Sequence, residues 1–580
     1  MNLDADRIHE RRWLALGVLC FSLLVIGLDN TILNVALPHL SDSLGATNSQ
    51  LQWIVDGYTI VYAGLLLTTG ALGDKFGRKG ALSVGLVVFG VFSALSAFAT
   101  SAGMLIATRG LMGIGGALIM PATLSLVTNI FTEPRERARA IGIWAGVAAG
   151  GVAFGPLIGG FLLAHFWWGS VFLVNVPVVA IALLGGHYFL PSSKDETAPS
   201  LDPLGAVLST SGLVAVLWGL IEAPSHGWGA TPIVAAFAVG LGLLSVFIAW
   251  ELRSDHPMLE IRFFANRRFS AANVAVTFVF FAMFGSSFLI TQLLQSVLGY
   301  SALKAGFAML PIAIPLMILG PLSARLAERF GTKAMVAGGL TLVATGLAWL
   351  GQIQMGDGFT SILFPMVVLA TGMGLTMAPA TESIMGSLPR EKAGVGSAMN
   401  DTTRQVGGAL GVAVIGSVLA SVYRPKIHAA LAHSSLAQAA SLPGSTGAEA
   451  RTALAAIGDQ VGAAHAVVDK AAAAGHPLPD AASILHNAHS AFLSGFGNAL
   501  LIGAGVALAG AIIALLFLPA RAIDHDEVMS EELPGLDEEL VGADAADVAA
   551  VPAGAVGPVD DAGDLARLEL AGLHGSAAEA

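Results

Sequence analysis

Between two long apolar runs the chain carries a charged island, Gly70 to Leu82, reading GALGDKFGRKGAL. Asp74, Lys75, Arg78 and Lys79 fall within six residues, with Gly73 and Gly77 beside them. An apolar chain that leaves a bilayer and re-enters it at once needs such a link. Glycine permits the bend, and the basic residues hold the loop on the cytoplasmic side. Asp74 lies just before the next run, where the positive end of a helix dipole stabilises a carboxylate. The stretch commits the chain to helices packed side by side in a membrane.

Composition agrees. Of 580 residues, 55% are hydrophobic and 12% charged, with a mean hydropathy of +0.75 and 70 glycines. That suits helices approaching closely in lipid and excludes an ordinary soluble domain. The single cysteine, Cys20, excludes an intramolecular disulfide. The net charge of −12 is localised: residues 521–580 hold 15 acids and 2 bases, leaving 26 bases and 25 acids elsewhere. The tail, poor in aromatics, reads as disordered, and nothing in the charge pattern points to nucleic acid.

Fourteen apolar runs are expected to span the bilayer: 13–37, 52–72, 81–99, 104–128, 140–163, 170–190, 203–221, 231–250, 270–292, 304–323, 334–351, 360–385, 394–421 and 488–518. The first is too long for a signal-peptide core and lacks a cleavage site, so it reads as a retained helix. With the N-terminus inside, cytoplasmic segments hold 21 of the 28 Lys and Arg, and outer segments hold five. An even count then puts both termini in the cytoplasm.

Asp74–Lys79, DKFGRK, has an echo at Glu328–Lys333, ERFGTK. The copies are eight predicted helices apart, two more than a six-plus-six duplication gives, so two extra helices separate the halves. The expected fold is all-α and polytopic. It has a cytoplasmic segment at 1–12, a six-helix bundle over 13–190, and a linker with two extra helices over 191–269. A second six-helix bundle follows over 270–518, then an acidic cytoplasmic tail at 519–580. Within the second bundle, residues 423–487 read as an Ala-rich external loop of solvated filler. Its histidines (His428, His433, His465, His476 and His486, with His489 just beyond) leave metal binding as the lesser alternative.

Asp29 lies about 24 Å along the first run at 1.5 Å per residue. A carboxylate there costs a few kcal/mol or more unless it is protonated or paired. It reads as a protonatable switch, the alternative being a packing carboxylate bonded to Asn30 or Asn34. Arg109 in the fourth run cannot lose its charge and must face an acid, carbonyls or water. It either helps a nearby carboxylic acid release its proton or clamps helices together. Asp56, between Trp53 and Tyr58, is placed near the outer interface, either wetted in an aromatic belt or part of substrate entry. The fifth run carries Gly142, Gly146 and Gly150, then Gly151, Gly155 and Gly159, with Pro156 beside Gly155. Four-residue spacing makes smooth stripes for close packing, and the Gly-Pro pair a hinge. Glu382, and Asp401 with Arg404 three residues on, are further charges of substrate-facing or structural kind.

These pieces together resemble the fourteen-helix drug:proton antiporter family of the major facilitator superfamily. LDNTILNVALP (Leu28–Pro38) is similar to that family's first-helix motif, and GALGDKFGRK to its loop between helices 2 and 3. Arg109–Ala117 resembles its fourth-helix motif, and GGVAFGPLIGG (Gly150–Gly160) the antiporter motif of its fifth. FLVNVP (Phe172–Pro177) resembles the start of the sixth helix, and Ser397–Ala413 the thirteenth. Two departures stand out: Met112 where the family usually has Gln, and Trp168-Gly169-Ser170 where it has a bulkier basic-aromatic stretch.

The resemblance implies a multi-pass bacterial plasma-membrane transporter with no cofactor and no enzymatic activity, driven by the proton gradient. Its partners would be protons, the lipid bilayer and a lipophilic small molecule, cationic ones included. It further implies proton coupling through Asp29, Arg109 and Asp56. The conformational latch would be Gly70, Asp74, Gly77, Arg78 and Lys79 with Glu328 and Gly331, and the hinge Gly151, Gly155, Pro156, Gly159 and Gly160. The alternatives are export of an endogenous metabolite or lipid, metal export through the outer histidines, and a non-transporting sensor working through the acidic tail.

Overall fold

The computed structural model describes residues 5–131, 133–191, 202–254, 257, 259–388 and 393–520. The acidic tail from residue 521 and the linker at 192–201 lie outside the described residues, as does the side chain of Asp74. The helices are α1 Ala5–Leu44, α2 Asn48–Phe76, α3 Arg78–Ala97, α4 Ala102–Ile130, α5 Pro134–His165, α6 Ser170–Leu173, α7 Asn175–Phe189, α8 Pro203–His226 and α9 Thr231–Glu251. They continue with α10 Arg267–Gln292, α11 Ala302–Phe330, α12 Thr332–Leu350, α13 Phe359–Met385, α14 Ala393–Leu431, α15 Ser435–Ala440, α16 Ser445–Asp459, α17 Gly462–Ala473 and α18 Ala481–Phe517. A 3₁₀ turn, Ile261–Ala265, precedes α10, and a π turn, Leu293–Val297, ends it. No strand occurs among the described residues. Twelve helical spans among them are long and apolar enough to cross a membrane, and α2 and α5, at 29 and 32 residues, pack among these.

Short connections demand sharp helix starts, and the sequence supplies them. Thr47 accepts from Gln50 N while the Gln50 side chain accepts from Thr47 N, closing a capping box before α2. Ser101, Asp202, Asn266 and Ser301 cap α4, α8, α10 and α11 in the same sense. The echoed motif is also echoed in geometry. Gly77 ends α2 with φ 119°, its N–H donating to Gly73 O, and Gly331 ends α11 with φ 89°, donating to Ala327 O. Only glycine takes such a backbone without strain. Each turn also lays its preceding cation, Lys75 or Arg329, over its phenylalanine, Phe76 or Phe330.

Helices α1–α5 and α7 pack chiefly with one another, and so do α10–α14 with α18. Across the divide α5 meets α11 and α2 meets α14, with α8 seated on both α2 and α14. A separate apolar cluster of Ile60, Leu217, Ile221, Ala409 and Ala413 fills that three-helix seam. Thr210 of α8 occupies the space a Cβ on Gly64 would need.

The segment 423–487 differs from expectation. It is a helical cap, not a solvated loop: α14 continues to Leu431, and α15–α17 fold over its end. Ile457, Val461 and Ala464 are buried, and the Tyr423 hydroxyl donates to Ile457 O at 2.7 Å. Gln460 donates to Ala46 O at 2.9 Å, so the cap sits on the α1–α2 connection. Amphipathic alanine-rich helices bury enough apolar surface to fold against a neighbour, which reading by composition missed.

The cap defines one end of the molecule, and the Gly77 and Gly331 turns the other. The close contacts between the two helix groups lie toward the cap end. Gln295 donates to Val35 O at 2.8 Å, and Gly416 abuts the Gln52 amide. A Cβ on Gly160 would sit 2.5 Å from Ala302 O, and one on Gly306 would sit 2.4 Å from Pro156 O. Toward the turn end, Gly142, Gly146 and Gly150 of α5 and Gly320 of α11 have no described atom within 4 Å of a built Cβ.

Candidate functional site

Asp29 of α1 and Arg109 of α4 are 0% and 1% exposed, and Arg109 Nη1 bonds Asp29 Oδ2 in an ion pair. Both charges are removed from water, so the pair persists only because each satisfies the other. Arg109 is held from a third helix as well: its Nε donates to Ile54 O at 3.1 Å, and its guanidinium lies 4.5 Å from the Tyr58 ring centre. Ile54 and Tyr58 are one turn apart on α2, so a single arginine ties α1, α2 and α4 together.

The other Asp29 oxygen accepts from Asn175 Nδ2 at 3.4 Å, and Asn175 also reaches Ser93 Oγ at 3.1 Å. Asp29 therefore bonds neither Asn30 nor Asn34 among the described contacts; its partners come from α4 and α7. Asn175 was not singled out from the sequence. The available signal was a lone amide in the apolar run FLVNVP. Met112, in place of the usual glutamine, does not face the Arg109 hydrogen bonds. Its Sδ lies 3.5 Å from Ser96 Oγ, which also donates to Thr108 Oγ1 at 2.9 Å.

Asp56 is not at a wetted interface. It is 0% exposed, and neither carboxylate oxygen has a hydrogen-bond partner among the described residues. Tyr58, also expected in an interfacial belt, is buried beneath Arg109 and stacks on Tyr62. Trp53 is only partly exposed and packs on the α2–α8–α14 seam. An arginine face and a bilayer interface attract the same aromatic residues, which is why Trp53 and Tyr58 resemble an interfacial belt in sequence.

The glycine stripes divide. Cβ atoms at Gly151, Gly155 and Gly159 would fall 3.1 Å from Gly27 Cα, 2.1 Å from Thr31 Oγ1 and 2.9 Å from Ile32 Cγ1, so this stripe carries the α1–α5 crossing. Gly142, Gly146 and Gly150 pack against nothing described, contrary to expectation. Helix α5 runs through Pro156 without a break, and Gly160 and Pro156 meet α11.

At the turn end, Lys79 donates to His187 O at 3.0 Å and Leu190 O at 2.8 Å, closing the C-terminal end of α7. Gly70 lies against Pro121, where a Cβ would be 3.5 Å from its ring. Glu328 is exposed, and Gly331 is pressed on Ala520 O. In the second helix group Arg404 reaches Asp401 at 3.4 Å and Thr381 Oγ1 at 3.3 Å, and lies 5.5 Å over Phe280. Val279, Phe280, Thr376, Thr381 and Arg404 line a narrow crevice beside this pair. Glu382 is exposed, within electrostatic reach of Arg268.

A buried ion pair, a helical scaffold in two groups and a close-packed crossing suit a transporter, and comparisons agree. The family model described as Major Facilitator Superfamily matches residues 19–412. The multidrug efflux pump LfrA of Mycolicibacterium smegmatis is 36% identical over 88% of this chain and 97% of its own length. The tetracenomycin C resistance and export protein of Streptomyces glaucescens is 34% identical over 92% and 96%. The methyl viologen resistance protein SmvA of Salmonella typhimurium is 34% identical over 72% and 84%. Among solved structures, a bacterial homologue of the human lysosomal transporter Spinster, in an inward-facing and unoccupied conformation, superposes with a TM-score of 0.56. It covers 87% of this chain and 98% of its own at 17% identity, a likeness of fold. The chain is a multi-pass membrane transporter and belongs to the major facilitator superfamily.

Proposed function

We propose that the chain exports lipophilic drugs or antibiotics, cationic ones included, in exchange for protons, by alternating access across the bacterial plasma membrane. The carrying observation is the fully buried Asp29–Arg109 pair, which links three helices and has an unpaired carboxyl group, Asp56, nearby on α2. Protonating Asp29 removes the charge that holds Arg109 to α1, while Ile54 O and the Tyr58 face keep it on α2. One proton thereby loosens the α1–α4 link and frees α1 to move on the smooth face of α5 made by Gly151, Gly155 and Gly159. Relatives named for multidrug, tetracenomycin C and methyl viologen resistance support the cargo class.

The same reading takes fourteen spans, with bundles over 13–190 and 270–518 and an extra pair within 191–269. Both termini are cytoplasmic. Helix α8, seated on the α2–α14 seam, supports that division. The turn end is then cytoplasmic, and contacts concentrated at the cap end correspond to an inward-open state. Gly70, Asp74, Gly77, Arg78 and Lys79, with Glu328 and Gly331, act as the latch that closes the cytoplasmic side. Gly160 and Pro156 form the outer pivot on α11. Asp401, Arg404 and Glu382 face the substrate path, and the proton gradient drives the cycle with no bound cofactor.

The test is efflux of drugs and dyes from a pump-deficient host, with and without a protonophore, for the native protein and Asp29→Asn. Native efflux should collapse with the protonophore, and Asp29→Asn should insert normally yet fall to the level of cells without the pump. Undiminished efflux by Asp29→Asn would remove that residue from the coupling mechanism.

A further inference from the structure

The face of α2 that carries Asp56 also carries Gln52 one turn earlier and Asn48 two turns earlier. This i, i+4, i+8 spacing places the three side chains in one row. Asn48, Gln52 and Asp56 are 3%, 1% and 0% exposed. Among the described residues no hydrogen-bond partner exists for Asn48 Nδ2, for either end of the Gln52 amide, or for either Asp56 oxygen. The Tyr58 hydroxyl, just beyond, is unpartnered too.

Buried polar groups are nearly always bonded, to protein or to ordered water. Five orphaned atoms in register on one helix face are not scattered packing errors, because the buried threonine hydroxyls elsewhere on α2 are satisfied: Thr59 bonds Val55 O, and Thr69 bonds Ala117 O at 2.6 Å. The row runs about 12 Å, at 1.5 Å per residue, from the first residue of α2 at the cap end inward to Asp56. Opposite Gln52 stands Gly416, whose missing side chain leaves room for the amide: a Cβ there would lie 2.6 Å from Gln52 Nε2. The amides supply donors and acceptors, and the carboxylate supplies acceptors, in the number that buried water requires.

We propose that Asn48, Gln52 and Asp56 hold a file of water molecules that carries protons between the cap-end solvent and Asp56. Each water accepts a proton from the neighbour on its outer side and releases one to the neighbour on its inner side. The last water gives its proton to the Asp56 carboxylate, so that one O–H bond breaks at the water and one forms at the acid. Asn48 and Gln52 are positioning residues, orienting the file without themselves titrating. This role rests on the proton-coupled reading above, whereas the existence of the file does not.

The experiment uses full-length protein in proteoliposomes with Cys20→Ser, which removes the single native thiol. Cysteines are placed at positions 48, 52 and 56 and, as dry buried controls, at Leu51 and Val55. Silver ion, close to water in size, should react with Asn48→Cys, Gln52→Cys and Asp56→Cys at least tenfold faster than with Leu51→Cys and Val55→Cys. Equal rates would overturn the file. Should Asp56→Cys fail to fold, positions 48 and 52 still decide it. Separately, Gln52→Leu should slow efflux driven by a pH gradient at least fivefold with the substrate KM unchanged, and Gln52→Asn should recover part of the rate. Normal efflux by Gln52→Leu would overturn the proton role even if the thiols react. Native efflux indifferent to a protonophore would overturn the coupling reading and that role together, while the silver pattern would still decide the file itself.

Discussion

Arg109 bonds Asp29 on one side and the carbonyl of Ile54 on the other, so the charge that fixes α1 to α4 is also anchored on α2. A lysine, with one point charge in place of a planar fork, cannot make both contacts in this geometry. The relationship explains why the fourth-helix arginine is more than a counter-ion.

Removing it should expose the cost. Arg109→Ala leaves Asp29 buried with only one weak amide partner, a loss of about 3–5 kcal/mol for a broken buried pair. The melting temperature in detergent should fall by several degrees, and adding Asp29→Asn should restore part of the loss. A double variant no more stable than Arg109→Ala would show that the orphaned charge is not the cause.

The α5–α11 pivot makes a contrasting pair. Gly306→Ala drives a Cβ to 2.4 Å from Pro156 O, a backbone atom that cannot rotate away. Overpacking of this kind costs about 1–3 kcal/mol, and the cap-end contact between the two helix groups should open, read as a lengthened spin-label distance across α5 and α11. Gly142→Ala, with no described neighbour, should be neutral or slightly stabilising through helix propensity. Equal effects of the two changes would contradict the crossing described.

The two turns should not be equally sensitive. Gly331→Ala faces both a positive φ and the Ala520 carbonyl 2.1 Å from its new Cβ, whereas Gly77 carries the φ constraint at 119°. Strain of about 1–3 kcal/mol is expected at each turn, with Gly331→Ala the more destabilised in thermal unfolding. The reverse order would show that the docking of residue 520 is not maintained in solution.

The cap should behave as folded structure. Amides of 445–473 should exchange with deuterium slowly, and Gln460→Ala, which cuts the bond to Ala46 O, should speed them. Its other anchor is Asp480. Desolvation raises that carboxyl's pKa, but hydrogen bonds from the Ser435 hydroxyl and N–H outweigh it and hold the group below the ordinary carboxylate range. With a depressed folded-state pKa, this contribution is full above the ordinary value and lost as pH falls through the lower one. Protection of the α15 region should therefore be flat between about pH 5 and 8. Loss of protection between pH 7 and 6 would assign the anchor to the histidines instead.

How much was legible in advance follows from periodicity and cost. Helix positions followed from apolar length, because lipid offers the backbone no other partner. Asp29 and Arg109 stood out because a charge in an apolar run is expensive, but the need for a partner did not say which partner each would find. The Asp74–Lys79 echo foretold two turns of one geometry because the glycine in each copy, Gly77 and Gly331, is needed for a positive φ.

By itself, then, the sequence determined the membrane helices, the intramembrane charges and the repeated turns, all set by local chemistry or by the penalty of burial. Only the tertiary structure decided which glycine stripe of α5 touches α1, that Asp56 and Tyr58 face inward, that Asn175 completes the Asp29 site, and that 423–487 folds into a cap. Each depends on which helix face meets which neighbour. That rotation is chosen by packing among partners far apart in sequence, where one stripe of small or polar residues looks much like another.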